Sequence, residues 1–108
     1  MERGCFLLRV KKDKVKEYLS AHEVWPEMKD AFRKAGIMNY SLFIQSDGMV
    51  VGYLEAENLK RSLEAVGNTD VNSRWQEHMA KFFESGSGDM EKGGLVWLQQ
   101  YFHLSQKD

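Results

Sequence analysis

The chain has 108 residues, 43% of them hydrophobic, which is enough for one domain with a buried core and leaves no room for a second. Its 15 Lys and Arg residues nearly balance its 16 Asp and Glu residues and form no basic stripe, which excludes the charge pattern of a nucleic-acid-binding protein. The lone Cys5 excludes an internal disulfide, and neither a signal peptide nor 18 consecutive apolar residues are present, so we expect a cytoplasmic protein that contacts no membrane.

The first predicted elements are a strand and an interrupted helix. Residues 4–10 are largely apolar and are followed by charged residues, which is typical of a buried strand. Over residues 15–35, apolar side chains recur every three or four positions, which predicts a helix. Pro26 is the only proline and disrupts a helix interior, so the helix should stop near His22 and restart at Pro26. His22 would then lie at the negative end of the first piece, where the helix dipole favours a protonated imidazole.

The remaining elements follow from the patterns of alternation and helical spacing. Tyr40 lies in an alternating segment, on the same face as Leu42 and Ile44, and a tight turn at Gly48 returns the chain as an antiparallel strand. Together these patterns predict strands over residues 38–45 and 49–56 and helices over residues 58–66 and 69–83. A glycine-rich loop over residues 84–94 and a closing strand over residues 95–104 complete the chain.

The order of these elements predicts an α+β fold. Strand, helix, strand, strand, helix, strand is the ferredoxin-like βαββαβ pattern, in which helices cover one face of an antiparallel sheet. The strands over residues 49–56 and 95–104 carry large apolar side chains on both faces. An antiparallel sheet of this kind usually buries its second face against something else. We therefore expect a homodimer in which two sheets face each other, a dimeric α/β barrel.

The residues that could perform chemistry are few. Tyr18 and His22 are four positions apart, so a helix places a phenol beside an imidazole, and Trp25 follows them. By pattern alone, this stripe is more typical of a core than of a site, and the same holds for Tyr40 and Trp75. The three histidines share no metal-ligand spacing, and neither a phosphate loop nor a dinucleotide motif is present, so no metal or cofactor is predicted. The residues alone indicate a small domain with a candidate acid/base pocket.

Four stretches carry a more specific signal: EYLSAHEVWPEM, AGIMNYSLFI, NTDVNSRWQEHM and LQQYFHL. In them the chain resembles the L-rhamnose mutarotase family over nearly its whole length. The resemblance implies a dimeric α/β barrel with strand exchange between subunits, no metal or organic cofactor, and interconversion of the α and β anomers of L-rhamnose. It also implies that His22 is the proton donor and that Tyr18, Tyr40 and Trp75 bind the substrate. Gln76 occupies a position that is often a second tryptophan in the family.

Two departures from the family pattern bear on the substrate. Family members commonly read HxxxWPE where this chain reads HEVWPE, one residue shorter. Gln76 exchanges a stacking surface for an amide, so we expect Trp75 to pack against the apolar side of a 6-deoxy sugar while Gln76 bonds to hydroxyls. Two alternatives stay open at this point: a cofactor-free oxygenase of the dimeric α/β barrel type, with an apolar pocket for an aromatic substrate, and a non-catalytic sugar-binding dimer.

Overall fold

The computed structural model describes residues 1–84 and 94–105. Within these ranges the strands are β1 (Glu2–Arg9), β2 (Met38–Ile44), β3 (Met49–Ala56) and β4 (Val96–Leu98). The helices are α1 (Val15–Ala21), α2 (Pro26–Lys34), α3 (Leu59–Gly67) and α4 (Asp70–Met79). Because each helical segment of the βαββαβ order is split in two, four helices connect four strands. The predicted α+β ferredoxin-like class is confirmed, and the predicted loop over residues 84–94 lies almost entirely outside the described residues.

The four strands form one antiparallel sheet in the order β2-β3-β1-β4. β1 and β3 pair along their whole length, from Glu2 opposite Ala56 to Arg9 opposite Met49. The helices cover the face that carries Phe6, Val50 and Leu54, all of which are nearly inaccessible to solvent. We call the opposite side the outer face; its strand residues include Cys5, Leu7, Phe43, Val51, Tyr53, Val96 and Leu98.

The break between α1 and α2 occurs where the sequence predicts it. α1 ends at Ala21, and His22 follows with φ −84° and ψ 60°, outside the helical region. Trp25 is extended, with ψ 143°, and Pro26 is the first residue of α2. The proline ring therefore separates two short helices without breaking a hydrogen bond of either one, because the first residues of a helix have no intrahelical acceptor for their N–H groups.

Side chains cap the two helices of the second segment. The Asn58 side chain accepts a hydrogen bond from the backbone N–H of Arg61 at 3.1 Å, and α3 begins at the next residue. Thr69 Oγ1 accepts from the Asn72 N–H at 3.2 Å and caps α4. α4 ends at Met79, and a 3-10 turn completes the predicted helical stretch as far as Phe82. None of the helices described here is long and apolar enough to cross a membrane.

β2 departs from the regular alternation that the sequence predicts. Met38 pairs with Glu55 and Ser41 pairs with Tyr53, so two residues of β2 lie opposite the single residue Leu54. This is a β-bulge, which adds a residue on one strand and redirects the side chains near it. Asn39, the first of the two residues opposite Leu54, has a φ of +49°.

The closing strand is shorter than predicted. Only Val96–Leu98 pair with β1, and residues 99–105, the described part of the chain after Leu98, form no strand within the subunit, so the predicted strand over residues 95–104 is wrong in its length. Leu98 lies opposite Cys5, and pairing stops there although β1 extends three residues further, to Glu2. The side chains of Tyr101 and Phe102 are 95% and 71% exposed, which leaves an aromatic tail at the edge of the sheet.

Candidate active site

The end of α1 brings three rings together. Tyr18 lies one turn before His22, and their ring centroids are 5.0 Å apart. From α4, the indole of Trp75 meets the same imidazole with the centroids 5.5 Å apart. His22 is half-buried, whereas Tyr18 and Trp75 are 5% and 8% exposed. The predicted phenol–imidazole pair is therefore formed, with an indole closing one side of it.

These rings border a cavity of about 410 Å³, which we call the main cavity. Helices α1, α2 and α4 and the edge strand β2 enclose it. Its lining residues are His22, Val24, Lys29, Phe32, Arg33, Ile37, Asn39, Tyr40, Leu42 and Trp75. The volume lies within the usual range for small-molecule sites, roughly 300–1,000 Å³. Half of these residues are apolar and half carry a polar group, so the wall combines apolar surface with several hydrogen-bonding groups.

A smaller cavity of about 60 Å³ adjoins the main cavity, and we call it the inner cavity. His22, Tyr40 and Trp75 line both spaces. Tyr18 and Gln76 line the inner cavity. Among the five residues predicted for the site, His22, Tyr40 and Trp75 thus reach the main cavity, and Tyr18 and Gln76 lie next to it.

Both tyrosines are held in the neutral form. Burial raises the pKa of Tyr18 to about 12. Burial also raises the pKa of Tyr40, and repulsion from Tyr18 adds to the shift. Tyr40 lies on the edge strand β2 and is 36% exposed as a whole. Two proton-carrying hydroxyls are therefore available near one imidazole at neutral pH.

His22 has a lowered pKa, which corrects the expectation that the helix dipole favours its protonated form. Desolvation by the surrounding rings lowers the pKa below 6.5, and a hydrogen bond with its own backbone opposes the shift without reversing it. α1 has only seven residues, so its dipole competes weakly with the burial of a charged ring. The imidazole is mainly neutral at pH 7.

Comparison with known proteins identifies the family. A family model for L-rhamnose mutarotase matches residues 3–104. The chain belongs to the L-rhamnose mutarotase family. An L-rhamnose mutarotase of Oceanobacillus iheyensis is 33% identical over 106 residues, which cover 96% of this chain and 99% of that protein. An L-rhamnose mutarotase of Lactiplantibacillus plantarum is 33% identical over 95 residues, covering 86% and 88% of the two chains. The family consists of isomerases that interconvert sugar anomers, so a sugar substrate is implied.

Solved structures share the fold of this mutarotase family member. The crystal structure of an L-rhamnose mutarotase from Formosa agariphila matches with a TM-score of 0.77 at 20% identity, covering 97% of this chain and all of that one. A Nitrosomonas europaea protein provisionally named an antibiotic biosynthesis monooxygenase matches with a TM-score of 0.58 at 18% identity, covering 77% and 79%. At these identities the matches support the α+β fold alone.

Gln76 points toward another amide. Its Nε2 donates to Asn72 Oδ1 at 3.5 Å, one turn earlier on α4. Asn72 is only 3% exposed and also lines the inner cavity. The bond is long, so the Gln76 amide is only weakly held, and its oxygen and second N–H could still bond to a ligand.

Trp25 lies behind the pocket wall of the mutarotase domain. Its indole packs edge-on against Trp75, with centroids 5.1 Å apart, and its other neighbour is the exposed His78 at 5.3 Å. Trp25 therefore supports Trp75, which in turn contacts His22. Among residues 1–84 and 94–105, no group of three His, Cys, Asp or Glu side chains is arranged to hold a metal ion.

Three polar residues of the main cavity were missed by the sequence patterns. Lys29 and Arg33 are one turn apart on α2 and line the cavity from its solvent side, and Asn39 joins them from β2. The helix pattern assigned the two cations to a solvated surface, which is the usual place for such residues. Strict alternation put Asn39 on the face away from Tyr40, and only the bulge brings the two together.

Proposed function

We propose that this protein interconverts the α and β anomers of L-rhamnose, or of a close 6-deoxyhexose, as one domain over residues 1–108. The observation that carries the proposal is a neutral, half-buried His22 on a cavity of about 410 Å³, beside two neutral phenols. Family membership over residues 3–104 supports the same substrate class.

Mutarotation needs one proton acceptor and one proton donor. During ring opening the anomeric hydroxyl loses its proton, the bond between the anomeric carbon and the ring oxygen breaks, and the ring oxygen gains a proton. The aldehyde then rotates, and the same transfers run backwards as the ring closes on its other face. Positioned proton transfer of this kind typically contributes roughly 10² to 10⁴ in rate.

We assign these transfers to the three groups at the end of α1. Neutral His22 accepts the proton of the anomeric hydroxyl, and returns it to the aldehyde oxygen on closure, so that it is the proton donor of that half-reaction. Tyr40 or Tyr18 donates to the ring oxygen, because both hydroxyls keep their protons at neutral pH. A lowered pKa keeps His22 in the accepting form above about pH 6.5.

The cavity wall suits a sugar with one apolar end. Trp75, Phe32 and Leu42 offer apolar surface for the C–H groups and the methyl of a 6-deoxyhexose. Polar groups at Lys29, Arg33 and Asn39 match hydroxyls and favour a sugar over the aromatic substrate of a cofactor-free oxygenase. In this proposal Gln76 contacts a hydroxyl that enters the inner cavity.

We further propose a homodimer in which two outer faces meet. Leu7 and Val51 are only half-buried at the centre of this face, although both are aliphatic, and Phe43 is 62% exposed. An apolar patch across a whole sheet is typical of an interface. The exposed tail that contains Tyr101 and Phe102 would add a strand to the partner's sheet. A reducing, cytoplasmic location is supported by the free Cys5.

Magnetisation exchange between the α and β resonances of L-rhamnose tests the activity directly. The wild type should raise the exchange rate well above that of buffer, and His22→Ala should lower the added rate roughly 10²-fold or more. His78→Ala is the matched control, because His78 is exposed and packs on Trp25 outside the main cavity. Sugar binding without any exchange would identify a non-catalytic binding protein, and no effect of His22→Ala would remove His22 from the mechanism.

A further inference from the structure

Asn39 has a backbone conformation that most residues avoid. Its φ of +49° is the single positive value among the non-glycine residues in the described part of the chain. The left-handed region costs an ordinary L-residue about 1–2 kcal/mol, whereas asparagine tolerates it better than most residues do. The position therefore selects asparagine or glycine on backbone grounds, and glycine would lack the amide.

The strained residue lies where β2 enters the main cavity. In a regular strand, neighbouring side chains point to opposite faces, so only one of Asn39 and Tyr40 could line the cavity. The bulge places both residues opposite Leu54, and both line the cavity. Tyr40 reaches the cavity by regular alternation with Leu42 and Ile44, so the bulge at Asn39 is what adds an amide to the rim beside it.

A carboxylate on the neighbouring strand orients that amide. Asn39 Nδ2 donates to Glu55 Oε1 at 2.7 Å. Glu55 Oε2 in turn accepts from the Tyr53 hydroxyl at 2.9 Å and lies 3.5 Å from Arg3 Nε, and the Glu55 side chain is only 15% exposed. These bonds keep the pKa of Glu55 lowered, the bond from Asn39 most of all, so the acceptor stays charged. With its N–H committed to Glu55, the amide has Oδ1 left to accept a hydrogen bond.

We propose that Asn39 binds the substrate, with Oδ1 accepting a hydrogen bond from one ring hydroxyl of the sugar, and that Glu55 is a positioning residue which acts through Asn39. This inference rests on the proposed sugar-binding site and names a contact that fixes how the sugar lies in the cavity. An oriented acceptor discriminates strongly between a hydroxyl and its absence, because an analogue without the hydroxyl leaves the acceptor unpaired.

Substitution of Asn39 by glycine or by alanine distinguishes the effect of the amide from the effect of the backbone conformation. Asn39→Gly keeps the left-handed conformation and removes only the amide, so KM and the dissociation constant for L-rhamnose should rise roughly three- to tenfold, the worth of one hydrogen bond, with kcat within about twofold. Asn39→Ala also strains the bulge and displaces Tyr40, so it should lower kcat as well. Asn68→Gly is the matched control, because Asn68 ends α3 and belongs to no cavity wall. An unchanged KM in Asn39→Gly would overturn the proposal.

Sugar analogues identify the hydroxyl. We compare L-rhamnose analogues that lack the hydroxyl at C2, C3 or C4. For one of them, the wild type should lose affinity relative to L-rhamnose. The same analogue should bind Asn39→Gly as well as it binds the wild type, because the contact is already absent. Equal penalties for every analogue in the two proteins would contradict a direct contact.

The role of Glu55 is tested by a double variant. Glu55→Ala should raise KM less than Asn39→Gly does, and the combined variant should match Asn39→Gly alone, because Glu55 acts through the amide. Additive effects would show that Glu55 acts elsewhere. Calorimetric affinities test the proposed contact separately from the proposed reaction. If the wild type binds L-rhamnose but does not catalyse exchange, only the proposed mutarotase activity is contradicted. If the wild type does not bind L-rhamnose, both the activity and the contact are contradicted.

Discussion

The imidazole of His22 meets the indole of Trp75 almost perpendicularly, with ring centroids 5.5 Å apart and an interplanar angle of 85°. The contact joins the end of α1 to the middle of α4, and it removes water from one side of the proposed base. Desolvation is the main cause of the lowered pKa of His22. The contact therefore shapes the cavity wall and contributes to the burial that keeps the residue which would move protons neutral.

The pH dependence of the reaction follows from that protonation state. The pKa of His22 is lowered from 6.5, so kcat/KM should be level from pH 7 to pH 9. It should fall as the pH drops below 6.5 through the lowered pKa, because protonated His22 cannot accept the anomeric proton. Exchange rates with the buffer contribution subtracted at each pH measure the profile.

Tyr18→Phe provides the control for this profile. Tyr18 has a pKa of about 12 and does not titrate in this range, so the variant should keep the same acid limb even if its rate is lower. A rate that rises as the pH falls below 6.5 would mean that protonated His22 is the active form in ring opening.

Trp75 should contribute more to binding than to chemistry. Trp75→Phe keeps a ring beside His22 but loses apolar area on the cavity wall, so KM for L-rhamnose should rise about three- to tenfold while kcat changes less than threefold. Trp75→Ala is a poorer probe because the side chain is 8% exposed, and truncation of a buried aromatic costs about 3–5 kcal/mol of stability. Trp97→Phe, at the half-exposed end of the sheet, is the matched control. An unchanged KM in Trp75→Phe would exclude the stacking role.

Gly52 is required for the packing beneath the site. It lies directly opposite Phe6 in the sheet, and a Cβ at this position would overlap the Phe6 ring. Phe6 is 2% exposed and packs against Tyr40, so it cannot move aside freely. Gly52→Ala should therefore lower the free energy of unfolding by about 1–3 kcal/mol, measured by urea denaturation.

A second glycine substitution shows whether the effect comes from overlap. Gly67 ends α3, where alanine fits the helical conformation, so Gly67→Ala should leave stability unchanged or raise it slightly. If both variants lose similar stability, the loss arises from something other than the Phe6 contact.

The outer face of the sheet should hold two subunits together. Val51 pairs with both Leu7 and Phe43 at the centre of this face, so Val51→Asp would bury a charge in the interface. Sedimentation velocity should give a dimer for the wild type and a monomer for Val51→Asp. Leu19→Asp, an equally drastic change at a position of α1 that is 55% exposed, should stay dimeric. A monomeric wild type at micromolar concentration would contradict the proposed dimer.

The elements with local signals could be predicted from the sequence. Pro26 marked the helix break and Gly48 marked the hairpin, because each acts through its own backbone. The bulge at Asn39 could not be predicted, because residues 38–45 also fit a regular strand with strict alternation. The end of β4 could not be predicted either, because apolar alternation continues past Leu98 although pairing with β1 stops there.

The candidate site followed the same division. The pair of Tyr18 and His22 came from helical spacing, and the opposing Trp75 came only from resemblance to the family. The predicted protonation state of His22 was wrong, because the dipole argument considers one helix, whereas the pKa depends on every ring packed around the imidazole.

The non-helical connection between α1 and α2 separates two tasks that could otherwise evolve only together. α1 ends in the proton-transferring pair, and α2 supplies Lys29, Phe32 and Arg33 to the cavity wall. Because Val24 and Trp25 are outside both helices, a residue lost or gained between His22 and Pro26 re-aims the wall without rotating Tyr18 relative to His22. By the family pattern HxxxWPE, the HEVWPE stretch of this chain would be such a change, and we expect changes of this kind to alter sugar preference while the proton-transferring pair is kept.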